Sequence, residues 1–181
     1  MLFRSTPRAA ELLRKAGCIE VWMGAESGSQ KILDAMEKGL RTDSIFRARE
    51  SLRRTGIRAA FFLQFGYPGE QWDEIQETVR MVRQTLPDDI GISVSYPLPG
   101  TRFFDIVNAQ LGTRRNWTDS ADLAMMFRGA YSSEFYRALR DALHCELDVL
   151  HGRRSDDGEV ATLWRQVDEL RAVPARETVC A

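Results

Sequence analysis

The sequence predicts an α/β fold in which three parallel strands alternate with helices and are followed by a helical region. Two observations predict it. Short apolar runs at Cys18–Gly24, Ile57–Gly66 and Ile90–Pro97 each follow a segment whose apolar residues recur at helical spacing. From about residue 101 onward, helical spacing continues with no further strand-like run. Strands that alternate with helices pair in parallel through right-handed crossovers, so the first hundred residues form three successive units.

The first unit begins with a helix that starts at Pro7. Thr6 is a good N-cap residue, and proline is favoured at the first helical position. Gly17 ends this helix, and the strand Cys18–Gly24 follows.

The second and third units repeat this order. The segment Thr42–Gly56 has helical spacing and precedes the strand Ile57–Gly66. The next helix is predicted to begin at Glu70, an acid that the helix dipole stabilises in the first turn, and to end at Pro87. The third strand, Ile90–Pro97, follows it.

The clearest helix of the second half runs from Ser132, a good N-cap residue, to Gly152. Its apolar stripe consists of Tyr136, Leu139, Leu143, Leu147 and Leu150. A last helix is predicted at about residues 160–171.

Composition excludes several function classes. A formal net charge of −1 produces no field that attracts nucleic acid or an anionic membrane, so neither is an expected partner. No apolar run approaches the roughly 20 residues that span a bilayer. The N-terminus also lacks the apolar core of a signal peptide, which predicts a cytoplasmic protein.

The cysteines and histidines do not form a metal motif. Cys18, Cys145 and Cys180 are too scattered for a disulfide framework or a CxxC clip, and are expected to be free thiols. His144 and His151 are seven residues apart, about 10 Å along a helix, and cannot share one ion without other ligands.

A ligand site is predicted at the carboxyl ends of the strands, where ligands gather in parallel α/β folds. Three loops lie there: GAESGSQ at 24–30, GYPGE at 66–70 and PLPGT at 97–101. Their glycines and prolines also suit ordinary turns. Three such loops at one edge of a sheet favour a binding site over turns alone.

The first loop has polar groups beyond those a turn needs. One explanation is that Ser27 or Ser29 is the N-cap of the following helix. That explanation leaves the carboxylate of Glu26 without a role. A carboxylate directly after a buried strand needs a partner unless it faces solvent. Glu26 is therefore the first candidate for contact with a ligand.

At these loops the chain resembles the C-terminal half of radical S-adenosylmethionine (SAM) enzymes, in particular the branch with an N-terminal cobalamin-binding domain. GAESGSQKILDAMEKG is similar to the family's segment after the fourth core strand, FLQFGYPGE to the end of the fifth, and SVSYPLPGT to the sixth. The resemblance implies the C-terminal half of a partial (β/α)6 barrel at residues 1–110 and a helical C-terminal extension at 111–181.

The resemblance also implies a set of SAM contacts. Polar residues after the fourth strand face the ribose and methionine parts of SAM, and the matching residues are Glu26, Ser27 and Ser29. Phe65 and Gly66 match residues near the adenine. Tyr96 and Pro97 match the end of the sixth strand, whose backbone hydrogen-bonds the adenine edge.

The family's reaction begins at a [4Fe-4S] cluster held by a CxxxCxxC motif, which these 181 residues lack. We therefore expect the C-terminal portion of a radical SAM enzyme that converts or methylates an organic small molecule. On this hypothesis the chain is inactive alone, and its cluster and cobalamin regions lie outside it. The missing N-terminal half of the barrel is then an expected partner.

Two alternatives stay open. The first is a non-catalytic half-barrel module that docks a partner chain, and the second is half of an unrelated α/β barrel. A CxxxCxxC segment encoded upstream would favour the truncated enzyme over the module. A half-barrel is also expected to expose Ile92, Val94 or their neighbours on the face that a full barrel covers.

Overall fold

The computed structural model describes residues 7–112 and 117–173, and it has the predicted α/β architecture. The helices are α1 (Pro7–Lys15), α2 (Gln30–Ala35), α3 (Thr42–Arg54), α4 (Trp72–Thr85), α5 (Arg102–Val107), α6 (Ser133–Leu150) and α7 (Glu159–Arg171). The strands are β1 (Glu20–Glu26), β2 (Arg58–Phe65) and β3 (Asp89–Val94), and 3-10 segments lie at Asn108–Gln110 and Trp117–Leu123. Within the described ranges, no helix is both long and apolar enough to cross a membrane.

The three strands form one parallel sheet in the order β1-β2-β3, which confirms the predicted α/β fold with helical crossovers. The connection from β1 to β2 contains α2 and α3, and the connection from β2 to β3 contains α4. Because the strands are parallel, their carboxyl ends lie at the same edge of the sheet.

The first strand differs from its predicted bounds. It begins at Glu20 and continues through Gly24 to Glu26, so Glu26 is the last residue of β1 and not part of the following loop. Glycine does not end the strand because Met23 and Ala25 on either side of it are both buried on the same face. A register shift against β2 falls between Gly24 and Glu26.

The chain divides into two compact units. The first comprises Met1–Gln64 and Gln71–Ile92, and the second comprises Phe65–Glu70 and Ser93–Ala181. The predicted division near residue 110 concerns the family's architecture and stays a prediction.

In the first unit, alternate residues of the strands lie on opposite faces of the sheet. One face is buried and includes Met23 of β1, Phe61 and Leu63 of β2, and Ile90 of β3. The helices contribute the apolar side of their amphipathic spacing, with Ile32, Leu33, Ile45, Leu52, Ile75 and Val79 buried.

In the second unit, α6 packs against α7. The hydroxyl of Ser132 accepts a hydrogen bond from the Phe135 N–H at 3.3 Å, which confirms Ser132 as the N-cap residue of α6. The predicted stripe is buried at Tyr136, Leu139, Leu143 and Leu147 and reaches solvent at Leu150.

Candidate functional site

Glu26 ends β1 in a left-handed backbone conformation, with φ of 60°. This conformation costs a residue other than glycine roughly 1–2 kcal/mol. Its carboxylate folds back over Gly24, so that a Cβ atom placed on Gly24 would lie 2.6 Å from Glu26 Oε1. The Glu26 side chain is 20% exposed and lies 3.4 Å from Lys38 Nζ. Glu26 therefore presents a carboxylate acceptor whose side chain is still partly open to solvent.

The two serines of this loop are buried and directed toward α4. The hydroxyl of Ser27 lies 3.1 Å from the Thr78 hydroxyl and accepts a hydrogen bond from the Ser29 N–H. Gly28 N–H donates to the Thr78 hydroxyl at 2.9 Å. A Cβ atom on Gly28 would come within 2.4 Å of the Glu77 carbonyl oxygen. The hydroxyl of Ser27 and the close approach at Gly28 thus attach the loop to α4.

Ser29 occupies the N-cap position of α2, but its side chain makes no capping hydrogen bond. The explanation of the serines as caps therefore fails at Ser29, although its position is the expected one. Direct contact of Ser27 and Ser29 with a ligand stays a prediction.

In the second unit, the loop after β2 is organised by Glu70. This residue lies two positions before α4 begins, so the prediction that it belongs to the first helical turn is wrong. Its carboxylate is buried and accepts a hydrogen bond from Gly66 N–H at 2.5 Å. The capping box of α4 is supplied by Gln71 and Glu74, which leaves Glu70 for the loop.

Gly66 has φ of 76° and is closely surrounded. A Cβ atom there would lie 3.1 Å from Met125 Sδ and 3.2 Å from the Tyr136 hydroxyl oxygen. Both the left-handed backbone and the lack of space require glycine at this position.

The residues after β3 begin next to the end of β2. Ser95 N–H donates to the Phe65 carbonyl oxygen at 2.7 Å, and Phe65 itself is buried. Tyr96 is half-buried and Pro97 is buried. Among the described residues, the buried hydroxyl of Ser95 has no hydrogen-bond partner.

Tyr136 of α6 is a buried phenol that sequence reasoning assigned only to an apolar stripe. Its hydroxyl has no hydrogen-bond partner within the parts of the chain that the structure describes. Burial first, and then the negative charge of Glu70, raise the pKa of Tyr136 well above its usual value. The helical spacing of the stripe does not indicate that the hydroxyl of Tyr136 lies beside Gly66.

The seven predicted site residues thus fall into two groups. Glu26, Ser27 and Ser29 are consecutive or nearly so in the first unit, and only Glu26 exposes its polar atoms. In the second unit, the Ser95–Phe65 hydrogen bond places Tyr96 and Pro97 one and two residues beyond a residue bonded to the end of β2.

The face of the sheet that stays exposed was predicted at the wrong residues. Val94 is 1% exposed and Ile92 is half-buried. The exposed apolar side chains are Trp22 of β1 and Phe62 of β2, which alternate with buried neighbours on the opposite face. The sequence does indicate this face, because Trp22 and Phe62 are an even number of residues from the charged Glu20 and Arg58 in their own strands.

The described residues do not fit an iron–sulfur cluster, because they contain no group of three or more cysteine, histidine or acidic side chains placed to hold a metal. Cys18 is half-buried, Cys145 is buried and Cys180 lies outside the described residues. Glu26 does fit part of SAM, since its accessible carboxylate suits an ammonium group or ribose hydroxyls.

Comparison with known proteins finds one matching family model and several relatives. A model of the radical SAM superfamily matches residues 2–82. The chain is 27% identical over 139 residues to an uncharacterized methyltransferase of Pyrococcus horikoshii, which covers 75% of this chain and 30% of that protein.

Two further relatives are each 31% identical. One is a putative methylthiotransferase of Methanocaldococcus jannaschii, matched over 87 residues that cover 48% of this chain and 19% of that protein. The other is the anaerobic magnesium-protoporphyrin IX monomethyl ester cyclase of Rubrivivax gelatinosus. It is matched over 93 residues that cover 51% of this chain and 17% of that protein. The chain therefore spans less than a third of the length of each of these three relatives.

Proposed function

We propose that the chain, whose residues 2–82 match a model of the radical SAM superfamily, is the C-terminal part of the catalytic barrel of a radical SAM enzyme of the cobalamin-binding branch. The proposed reaction of the whole enzyme is a SAM-dependent radical conversion or methylation of an organic small molecule. The match of the family model over residues 2–82 carries this proposal, since that range includes β1, β2 and Glu26.

Glu26 is the proposed polar contact to SAM in the first unit. SAM has an α-ammonium group and two ribose hydroxyls, all of which donate hydrogen bonds. A carboxylate in a fixed backbone conformation accepts them well, and charge-assisted bonds of this kind are about twice as strong as neutral ones. Lys38 Nζ lies 3.4 Å from the Glu26 carboxylate, so a cation already pairs with this acceptor in the absence of ligand.

Ser27 and Ser29 are proposed to act in the same part of the site. The hydrogen bonds that tie Ser27 and Gly28 to Thr78 support a positioning role, because they hold the backbone that follows Glu26. Phe65 and Gly66, and separately Tyr96 and Pro97, are proposed to contact the adenine. The Ser95–Phe65 hydrogen bond supports this, since it holds the residues after β3 beside the end of β2.

The family uses SAM and a [4Fe-4S] cluster, and the 181 residues contain no CxxxCxxC motif to hold that cluster. We propose that the chain by itself binds SAM without cleaving it. The N-terminal half of the barrel is the proposed partner that supplies the cluster, and cobalamin is a proposed cofactor of the whole enzyme.

The proposed function is tested by titrating SAM into the purified chain, alone and mixed with the N-terminal half of the barrel, by isothermal calorimetry. Glu26→Gln is expected to weaken SAM binding by about tenfold or more, since a hydrogen bond to a charged group contributes about 1.5–3 kcal/mol. Glu37→Gln is the matched control, because Glu37 also has a left-handed backbone, with φ of 55°, and is exposed.

Equal effects of the two substitutions would contradict the role of Glu26. Failure of SAM to bind the chain alone would contradict the proposal that it binds SAM by itself, and failure to bind the mixture as well would contradict the proposed function. SAM cleavage to 5′-deoxyadenosine by the chain alone would contradict the proposal that it is inactive by itself.

A further inference from the structure

We propose that the exposed face of the sheet carries a stacking site for a flat, conjugated ring of the substrate, formed by Trp22 of β1 and Phe62 of β2. This proposal rests on the proposed function. The two ring centroids are 4.8 Å apart and the ring planes are inclined by 34°. The side chains are 41% and 51% exposed, so each ring keeps a large part of its surface in contact with solvent. We call this pair the aromatic platform.

Gly91 of β3 leaves room for both rings to pack flat against the sheet. A Cβ atom on Gly91 of β3 would be 3.1 Å from Phe62 Cδ1 and 3.3 Å from Trp22 Cζ3. Both rings therefore occupy space that a side chain at position 91 would fill. In this arrangement they cover the sheet and direct their outer surfaces toward solvent.

The orientation of Trp22 is fixed by a hydrogen bond. Its indole N–H donates to Glu20 Oε1 at 2.9 Å, and the same carboxylate is paired with Arg58. Arg58, and then Trp22, lower the pKa of Glu20, so the carboxylate is ionised and its charge is balanced. The indole has no polar atom left for a ligand, and only its π surface is available for binding.

The other end of the aromatic platform is also electrically balanced. In the strand register, Phe62 lies opposite Gly24, over which the carboxylate of Glu26 folds. Lys38 pairs with that carboxylate at 3.4 Å. Charged pairs thus border the aromatic platform at both ends.

This pattern favours one class of ligand. Two aromatic surfaces between paired charges complement an uncharged conjugated ring, which gains stacking and dispersion energy, and offer no unpaired charge to an ion. The carboxylate of Glu26 folds over Gly24, which pairs with Phe62 across the register, so one end of the aromatic platform adjoins the proposed SAM contact.

The experiment uses 2-naphthol as a flat probe and 2-decalol as the saturated control with the same carbon skeleton. Binding to the isotope-labelled chain is followed by the NMR shifts of Trp22 Nε1–H and of the Gly24 and Gly91 amides. We expect 2-naphthol to shift these three signals and 2-decalol to shift them little. Trp22→Leu and Phe62→Leu should each weaken 2-naphthol at least about fivefold, the scale measured for stacking of a base on one aromatic side chain.

Two further variants keep the test falsifiable. Gly91→Ala pushes a methyl group against both rings and should weaken 2-naphthol without removing an aromatic side chain. Ile106→Ala is the matched control, because it removes an exposed apolar side chain from α5 and should leave binding unchanged. A loss of binding in Ile106→Ala equal to that in Phe62→Leu would overturn the proposal.

Other outcomes also decide against the aromatic platform. The proposal would be overturned by equal binding of the two probes or by displacement of 2-naphthol by SAM. It would also be overturned if 2-naphthol binding disappears on mixing with the N-terminal half of the barrel, or if the chain forms a dimer that Phe62→Leu dissociates. Failure of SAM to bind, with 2-naphthol still bound, would refute the proposed function separately. The reverse result would refute the aromatic platform and leave the proposed function intact.

Discussion

The loops after β1 and β2 use the same residue types in opposite ways. After β1, the hydroxyl of Ser27 turns inward to Thr78 and the carboxylate of Glu26 stays at the surface. After β2, the carboxylate of Glu70 turns inward and accepts the Gly66 N–H bond. Both loops require a glycine for close packing, at Gly28 and Gly66 respectively.

This difference separates a structural carboxylate from a candidate binding carboxylate. A buried glutamate that satisfies a backbone N–H is already used by the fold, and moving it would leave that N–H unpaired. Glu26 satisfies no backbone group in the contacts described above, and its conformation is a strained one. Glu26 rather than Glu70 is thus the residue on which a ligand role is tested.

The largest expected effect comes from Glu70→Ala. Removing the acceptor of Gly66 N–H leaves a buried donor unpaired and should lower the free energy of unfolding by about 3 kcal/mol. Urea denaturation followed by circular dichroism measures this. Glu70→Gln keeps an acceptor oxygen and should cost about 1 kcal/mol. If Glu70→Ala lowers the free energy of unfolding by less than about 1 kcal/mol, this carboxylate has no structural role.

The next effect compares a glycine of each loop. Gly28→Ala places a methyl group 2.4 Å from the Glu77 carbonyl oxygen and should lower the free energy of unfolding by about 2 kcal/mol through overpacking. Gly69→Ala meets nothing within 4 Å but has φ of 88°, so about 1 kcal/mol of backbone strain is expected. The same denaturation series measures both. The opposite ranking would refute the tight packing of the first loop on α4.

Tyr136→Phe tests the buried phenol. Because the hydroxyl is buried and has no hydrogen-bond partner among the described residues, its removal should raise stability at neutral pH by up to about 1 kcal/mol. The folded-state pKa of Tyr136 lies above the unfolded value near 10, so below pH 10 the phenol is neutral in both states and its titration does not change the free energy of unfolding. As the pH rises above 10, the phenol ionises first in the unfolded state, and the free energy of unfolding falls until the folded-state pKa is reached.

Measurement of unfolding free energy between pH 8 and 11 checks this prediction. The wild-type chain should lose stability more steeply than Tyr136→Phe above pH 10, and absorbance at 295 nm should show one tyrosine that titrates only on unfolding. Parallel curves for the two proteins would mean that the phenol is solvated.

The smallest expected effect is that of Glu26→Gln on stability. Its ion pair with Lys38 is 3.4 Å long and partly exposed, and surface pairs of this kind contribute less than about 1 kcal/mol. We expect a change below about 0.5 kcal/mol in urea denaturation, together with the large loss of SAM affinity proposed above. A stability loss as large as that of Glu70→Ala would make Glu26 a structural residue as well.

Sequence reasoning found the elements of the fold more reliably than their contacts. Helical spacing and stop residues predicted α3, α4 and α6, because local periodicity and capping chemistry act over a few residues. The extension of β1 through Gly24 was missed, since glycine is a common stop signal and only burial of its neighbours outweighs it here.

The places of the candidate residues in the fold were predictable, and their contacts were not. The position of Glu26, Ser27 and Ser29 at a strand end followed from the order of strands and helices. That Ser27 bonds Thr78, 51 residues away, depends on how the loop lies against α4. The exposed residues of the sheet were misassigned for a similar reason, because strand parity alone does not say which face the helices cover.

The sequence by itself determined the α/β order and the place of the strand-end loops, because these depend on local pattern. Only the tertiary structure decided which carboxylate stays accessible, which hydroxyls are buried and which side chains form the aromatic platform. Those properties come from contacts between residues far apart in the chain, such as Trp22, Phe62 and Gly91. The packing of each strand against its neighbours determines them, and no short segment contains that information.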